Sequence, residues 1–342
     1  MLLRMPNYCR DFKCSASKCS DNCCIGWEID IDEKTAEYYK NLDGDFGNRL
    51  KSGITFSSPS SFILKNERCP FLNDRNLCDI ILTLGEDKLC HICNEHPRYY
   101  EWFSGIKEGG VGMCCEEGAR LILKRGNETD YYEREVPNEP WDEYDYELYN
   151  LLLSVRENII GLLKNKDIPL FSAVSSILRY GEEIQFRIDN FDFKKNNKIP
   201  VQAEKNTDKP DVKAIFKIFE ELEPIDGAWI PFIQRIEKSA PLFIDRKYEQ
   251  YLRNIGIYFI WRYLMKGIFD EEILSKVKLA VISMAVLGLI FTAENSDFES
   301  SIILAKNFSK ELEYSEENLE KIYDLTYSES VFSAKELERF FG

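Results

Sequence analysis

Hydrophobic and polar positions follow two different rhythms along the 342-residue chain. From residue 141 onward, apolar side chains recur at the three- and four-residue spacing of amphipathic helices. Trp141, Tyr144, Leu148, Leu152, Val155, Ile159 and Leu163 keep that spacing and predict a first long helix. Asp167 and Pro169 open a second, through Leu170, Ala173, Ile177 and Ile184. Pro210 and Asp211 open a third, through Val212, Ile215, Phe219 and Leu222. Further helices are predicted at about 228–239, 245–266, 270–294, 298–312, 315–325 and 333–341, with a Lys/Asn-rich surface loop at 190–209. The most apolar run, Leu279 to Ala293, falls short of the ~20 residues of a spanning helix and reads as a buried core helix.

The first 130 residues lack this rhythm. Residues 14–26 are dense in Cys, Ser, Asp and Asn and predict irregular backbone. Asp32 is placed to cap a short helix through Glu33, Ala36, Tyr39 and Leu42. The Gly-, Ser- and Asp-rich stretch 43–61 reads as a loop with a brief strand at Ile54–Phe56, and Ser61 to Lys65 as a second strand. A short helix holding Cys78 and Ile81 ends at Gly85. Gly105 to Gly112 reads as a turn-rich approach to Cys114 and Cys115, followed by a helix from Glu116 to Lys124, with Arg125 at its end. The expected architecture is mainly α: a small irregular cysteine-rich domain with few short strands over 1–130, then an all-helical domain over 131–342.

Charge sharpens the division. The chain carries a net −15, of which residues 1–125 supply only −2 and the remainder −13. An acidic surface repels phosphate backbones, which argues against nucleic-acid binding and suits a lysine-bearing partner. The opening residues lack the apolar run of a secretory signal, so a cytoplasmic protein with reduced thiols and no membrane association is expected.

All eleven cysteines and both histidines fall between residues 9 and 115. Reduced thiols clustered in this way point to metal binding or catalysis rather than disulfides. Soft thiolates select zinc, copper(I) or iron–sulfur clusters. Only Cys90 and Cys93 have the two-residue gap of a zinc finger, so a site must be assembled from several loops, and spacing leaves iron–sulfur and zinc both open. The Cys-x3-Cys-x2-Cys triad of radical S-adenosylmethionine enzymes is absent, because Gly26 stands where its third cysteine would fall. The one Gly-rich run, Gly109–Gly110–Val111–Gly112, lies among cysteines and not in a strand–turn–helix nucleotide unit.

An ordered set of motifs crosses the same stretch: Tyr8, Phe12-x-Cys14, Cys19-x-Asp21-x-Cys23-Cys24-x-Gly26-Trp27, Asp30, Cys69-Pro70-Phe71-Leu72, Leu77-Cys78, Leu84-Gly85-Glu86, Cys93-x3-Pro97-Arg98 and Cys115-Glu116-x2-Ala119-Arg120. This set resembles the FliB family of flagellin lysine-N-methylases, and in part small zinc- or iron-chelating domains. In the helical region the likeness rests on Tyr258 to Tyr263 and on Lys276 to Met284.

The resemblance implies methyl transfer from S-adenosylmethionine to lysines of flagellin or another protein, with a [4Fe-4S] cluster or, alternatively, zinc. It marks Cys14, Cys19, Cys23, Cys24, Cys69, Cys78, Cys93 and Cys115 as metal-site thiols, led by Cys19, Cys23, Cys69 and Cys93, and leaves Cys9, Cys90 and Cys114 as extras. His91 and His96 are further candidate ligands or packing groups. The accepting lysine must arrive neutral although its free pKa is ~10.4, which calls for burial or a base. Asp30, Tyr99, Glu116 and Glu86 are candidates for that role, and Arg98 and Arg120 for binding the cofactor carboxylate. Tyr99, Tyr100, Trp102 and Phe103 either line a pocket or form core. The helical domain is then the substrate platform. Two other readings stand beside this one: a non-enzymatic zinc-stabilised interaction module, and a metal or redox sensor using the extra thiols.

Overall fold

The computed structural model describes the chain except residues 27, 104, 125–130, 142, 195–198, 200 and 202–207. The predicted roles of Trp27 and Arg125 lie outside the described residues, as does most of the 190–209 loop. Seven described strands appear in chain order: β1 Leu2–Pro6, β2 Asp30–Ile31, β3 Ile54–Thr55, β4 Ser60–Phe62, β5 Arg98–Phe103, β6 Ile106–Val111 and β7 Tyr131–Glu135. No described strand lies beyond residue 135, and the chain is mainly α.

The chain divides into two compact units, whose bounds differ from the expected 1–130 and 131–342. The larger comprises Met1–Asp11, Tyr100–Cys114 and Gly118–Gly342; the smaller comprises Phe12–Tyr99 and Cys115–Glu117. The first residues join the larger unit because β1 is an inner strand of the sheet ordered β5-β6-β1-β7. It runs parallel to β6 and antiparallel to β7, with Arg4 opposite both Glu108 and Glu133. Those ion pairs pin the register, at 3.1 Å to Glu108 and 2.8 Å to Glu133. Arg156 clamps the far side of the buried Glu108 carboxylate and lies 4.4 Å over the Trp261 ring. Gly105 to Gly112 is therefore largely strand and not turn. The indole N–H of Trp261 donates to the Gly109 carbonyl at 3.0 Å.

The helical expectation holds closely. Tyr146–Lys164, Leu170–Asp189, Val212–Glu220, Trp229–Ser239, Glu249–Tyr263, Ile273–Ala293, Phe298–Glu313, Glu316–Ser328 and Ala334–Arg339 are helices, and Asp211 caps the third through Ala214 N. Ile273–Ala293 is long and apolar enough to cross a membrane, but it is buried almost throughout and forms the centre of the larger unit.

In the smaller unit, β2, β4 and β3 form an antiparallel sheet in that order. Helices Glu33–Asn41, Gly44–Gly53, Asp79–Leu84 and His91–Glu95 pack in the same unit. Gly44–Gly53 corrects the loop expected over 43–61. Gly47 and Gly53 serve close approach rather than turning: a Cβ on Gly47 would sit 2.1 Å from the Leu42 carbonyl oxygen, and one on Gly53 would sit 2.8 Å from the Phe71 ring.

Candidate metal and methyl-transfer site

The core of the smaller unit is built from Ile29, Ile31, Tyr39, Leu50, Ile54, Phe62, Phe71, Leu72 and Ile80, together with thiols. Cys69 and Cys90 are buried within it, and Cys24, Cys78 and Cys93 pack against it partly buried. Backbone hydrogen bonds fix these positions. Cys69 N donates to the Cys24 carbonyl at 2.9 Å, Gly26 N to Glu67 O at 2.8 Å, and Asp79 N to Phe71 O at 2.8 Å. The Cys90–Cys93 turn is held from two sides, by His91 N on Asp32 Oδ2 and by the Tyr39 hydroxyl on Lys88 O.

The thiols sense one another's charge. The Cys24 thiol donates to Cys23, and this bond, burial and the neighbouring Cys69 and Cys78 all push it well above the usual thiol range. Cys93, bonded to Cys90, is pushed up likewise, with Cys24 and Cys69 adding to the effect. Burial raises Cys69 to about 11 against the opposing peptide N–H groups of Phe71 and Leu72. Cys90 moves the other way, lowered chiefly by the Cys93 thiol. Six sulfurs, on Cys23, Cys24, Cys69, Cys78, Cys90 and Cys93, thus share one electrostatic neighbourhood.

The remaining thiols lie elsewhere. Cys14 is exposed, and its sulfur accepts Ala16 N at 3.4 Å. The Cys19 thiol donates to Glu116 Oε2 at 3.7 Å, and the same oxygen takes Ser20 N at 2.8 Å and the Ser20 hydroxyl at 2.6 Å. Glu116 thereby ties down the loop before Cys23. Cys115 belongs to the smaller unit, whereas Cys9 and Cys114 are buried in the larger one.

Asp30, Asp32, Glu33, Ser57 to Ser60 and His91 line a cleft of about 500 Å³ in the smaller unit. The exposed Asp30 is the candidate base that faces it. Arg98 lies 5.2 Å over the Phe12 ring. Arg120 forms a two-pronged pair with Glu299, at 2.6 and 2.7 Å, in the larger unit. The hydroxyl of Tyr99 is buried, and Trp102 donates to Glu139 at 2.7 Å.

The larger unit contains a second polar cluster. The Glu313 side chain is wholly buried and accepts the Tyr258 and Tyr263 hydroxyls at 2.8 Å each, Arg262 at 2.7 Å and the Ser309 hydroxyl. Tyr258 also takes Met113 N at 3.1 Å, and burial pushes the adjacent Cys114 up to about 11. The sequence signal for Tyr258 to Tyr263 is present, but Glu313 lies too far along the chain to be linked to it by spacing.

This second cluster falls inside the segment that known proteins recognise. Residues 233–338 match the model described as FliB lysine N-methylase C-terminal domain. Over that segment the chain is similar to the FliB lysine N-methylases. The lysine-N-methylases of Salmonella choleraesuis and Salmonella typhimurium are each 28% identical over 126 residues. Those matches span 34% of this chain and 31% of each relative. The flagellar biosynthetic protein FliU of Salmonella muenchen is 27% identical over 132 residues, 75% of its length. No solved structure matches the chain.

The clustered thiols are the donors that the implied metal would need. Their softness suits zinc or iron–sulfur equally. Among the described residues no three His, Cys, Asp or Glu side chains stand in place around one ion. A single zinc draws its donors to ~2.0–2.3 Å of one point. A four-iron cluster gives each thiolate its own iron and so accepts a wider ring of sulfurs. The thiol donors suit zinc and an iron–sulfur cluster alike.

Proposed function

We propose that this chain is a protein-lysine N-methyltransferase that uses S-adenosylmethionine, acts in the cytoplasm on flagellin or another lysine-bearing protein, and holds a [4Fe-4S] cluster in its smaller unit. The observation that carries the reading is the joining, in one chain, of the FliB lysine N-methylase C-terminal domain to a unit whose core is built from thiols. When bound, the cluster supplies iron centres that can bind or polarise the methyl donor. The chain's own residues would do the rest. Core thiols hold the iron, the acidic cleft with Asp30 attracts a lysine ammonium, and a carboxylate there takes its proton. The acidic surface of the helical region suits a basic partner.

Anoxically purified protein, given methyl-labelled S-adenosylmethionine and flagellin, is expected to place label on lysine and to contain iron and sulfide. Label on no lysine would overturn the activity, and zinc as the sole metal would overturn the cluster.

A further inference from the structure

We propose that Cys90, which stands outside the family-type thiols, is a ligand of the metal centre, and that Cys19 is not. The inference rests on the metal reading above and names which thiols of this chain serve it.

The five thiols that share the smaller unit's core are Cys24, Cys69, Cys78, Cys90 and Cys93. Each is delivered there by backbone contacts that do not involve sulfur. Cys24 lies beside Cys69 through the Cys69 N to Cys24 O bond. Cys78 is brought back to the Cys69 turn by its bridge with Leu72. Cys90 and Cys93 are set by Asp32, which holds His91 N, and by Asn94 N donating to the Cys90 carbonyl. Cys90 is fully buried, and the Cys93 thiol is aimed at its sulfur. A ligand set assembled from this core cannot use Cys93 without placing the metal against Cys90, because the two sulfurs are already hydrogen-bond neighbours.

Cys19 is differently placed. It lies outside this core, and its thiol proton is directed at the Glu116 carboxylate. Its sulfur stands against the Glu116 carboxylate and not among the core sulfurs. The Glu116 contact therefore assigns Cys19 to anchoring the loop that delivers Cys23 and Cys24. A five-thiol core also exceeds the four ligands of one [4Fe-4S] cluster. Losing Cys19 from the set thus leaves it complete.

The test is reconstitution of the full chain with ferrous iron and sulfide under anoxic conditions, read as iron and sulfide per chain and as the EPR spectrum after reduction. Cys90→Ser and Cys69→Ser are expected to hold less iron than the parent and to change its EPR spectrum, because another thiol must take the vacated place, while Cys19→Ser retains the parent content and spectrum. Melting of each metal-free variant at the temperature of the metal-free parent separates ligand loss from misfolding. Should metal-free Cys90→Ser melt early, Cys90→Ala, which puts an apolar side chain in the buried position, carries the same comparison beside Cys19→Ser. A loaded parent whose Cys90→Ser form loads equally overturns the assignment alone, as does iron loss in Cys19→Ser. A parent that takes up no iron overturns the cluster reading and this assignment with it.

Discussion

The carboxylate of Asp32 accepts the peptide N–H of His91 at 2.9 Å, although 59 residues separate them. Its other oxygen accepts Thr35 N at 3.0 Å, so one side chain starts the helix Glu33–Asn41 and fixes the Cys90–Cys93 turn. Asp32→Ala is expected to destabilise the smaller unit by about 0.5–2 kcal/mol, the range for a lost cap, and to speed alkylation of Cys90 and Cys93. Urea unfolding and timed thiol labelling measure the two effects. Burial opposes ionisation of Asp32, but the N–H groups of His91 and Thr35 hold it below the usual carboxylate range. The folded value lies under the unfolded ~3.9, so this stabilisation is complete above that pH and is lost as pH falls through the folded value.

Glu108 is the buried anion between Arg4 and Arg156. Burial alone would raise its pKa, yet the two guanidinium groups bring it below the ordinary value. Glu108→Gln leaves the buried Arg156 without its carboxylate and Arg4 with Glu133 alone, and is expected to cost about 3–5 kcal/mol. Glu139→Gln, which loosens a half-exposed pair with Lys107, is expected to cost at most about 1 kcal/mol. Equal losses in chemical denaturation would contradict the buried clamp.

Glycine substitutions separate close approach from idle flexibility. A methyl at Gly47 meets the Leu42 carbonyl, so Gly47→Ala is expected to destabilise by about 1–3 kcal/mol. Gly161, inside the helix Tyr146–Lys164, has open space where its Cβ would stand. Gly161→Ala is expected to stabilise by about 0.4–1 kcal/mol. Thermal melts of the two variants should move in opposite directions.

Tyr258→Phe removes the hydroxyl that links Met113 N to Glu313 and leaves both buried groups short of a partner. A loss of about 1–3 kcal/mol is expected. Tyr327→Phe, whose hydroxyl reaches the exposed face at Glu272, should change stability far less. Calorimetric melts of the two variants check the contrast.

The helices after residue 141 were legible because each buries one apolar stripe, and that burial imposes a period the sequence records. Asp32 and Asp211 were legible as caps for a similarly local reason. Gly44–Gly53 and β6 were misread because Gly47, Gly53, Gly109 and Gly110 carry the usual signal of a turn. For Gly53 the reason is Phe71, a neighbour distant in sequence, and β6 is a strand because it pairs with β1 about a hundred residues earlier. The strand Leu2–Pro6 gave no period at all, since its partners lie more than a hundred residues away. Of the candidate site, the motifs located the thiol-bearing stretch. What they did not convey is that Cys90 enters the same core as Cys69 and Cys93, or that Glu116 holds Cys19 and Ser20, because both are properties of the folded backbone.

The smaller unit is inserted between β1 and the Tyr100–Phe103 part of β5, both elements of the larger unit. If the thiol core melts, residues 12–99 become a flexible tether joining two strands of one sheet. The entropy of closing such a tether grows only logarithmically, by about 0.6 kcal/mol for each doubling of its length. The helical unit can therefore outlast the loss of its insert, and a chain with oxidised thiols would persist as a folded helical body carrying an unravelled loop.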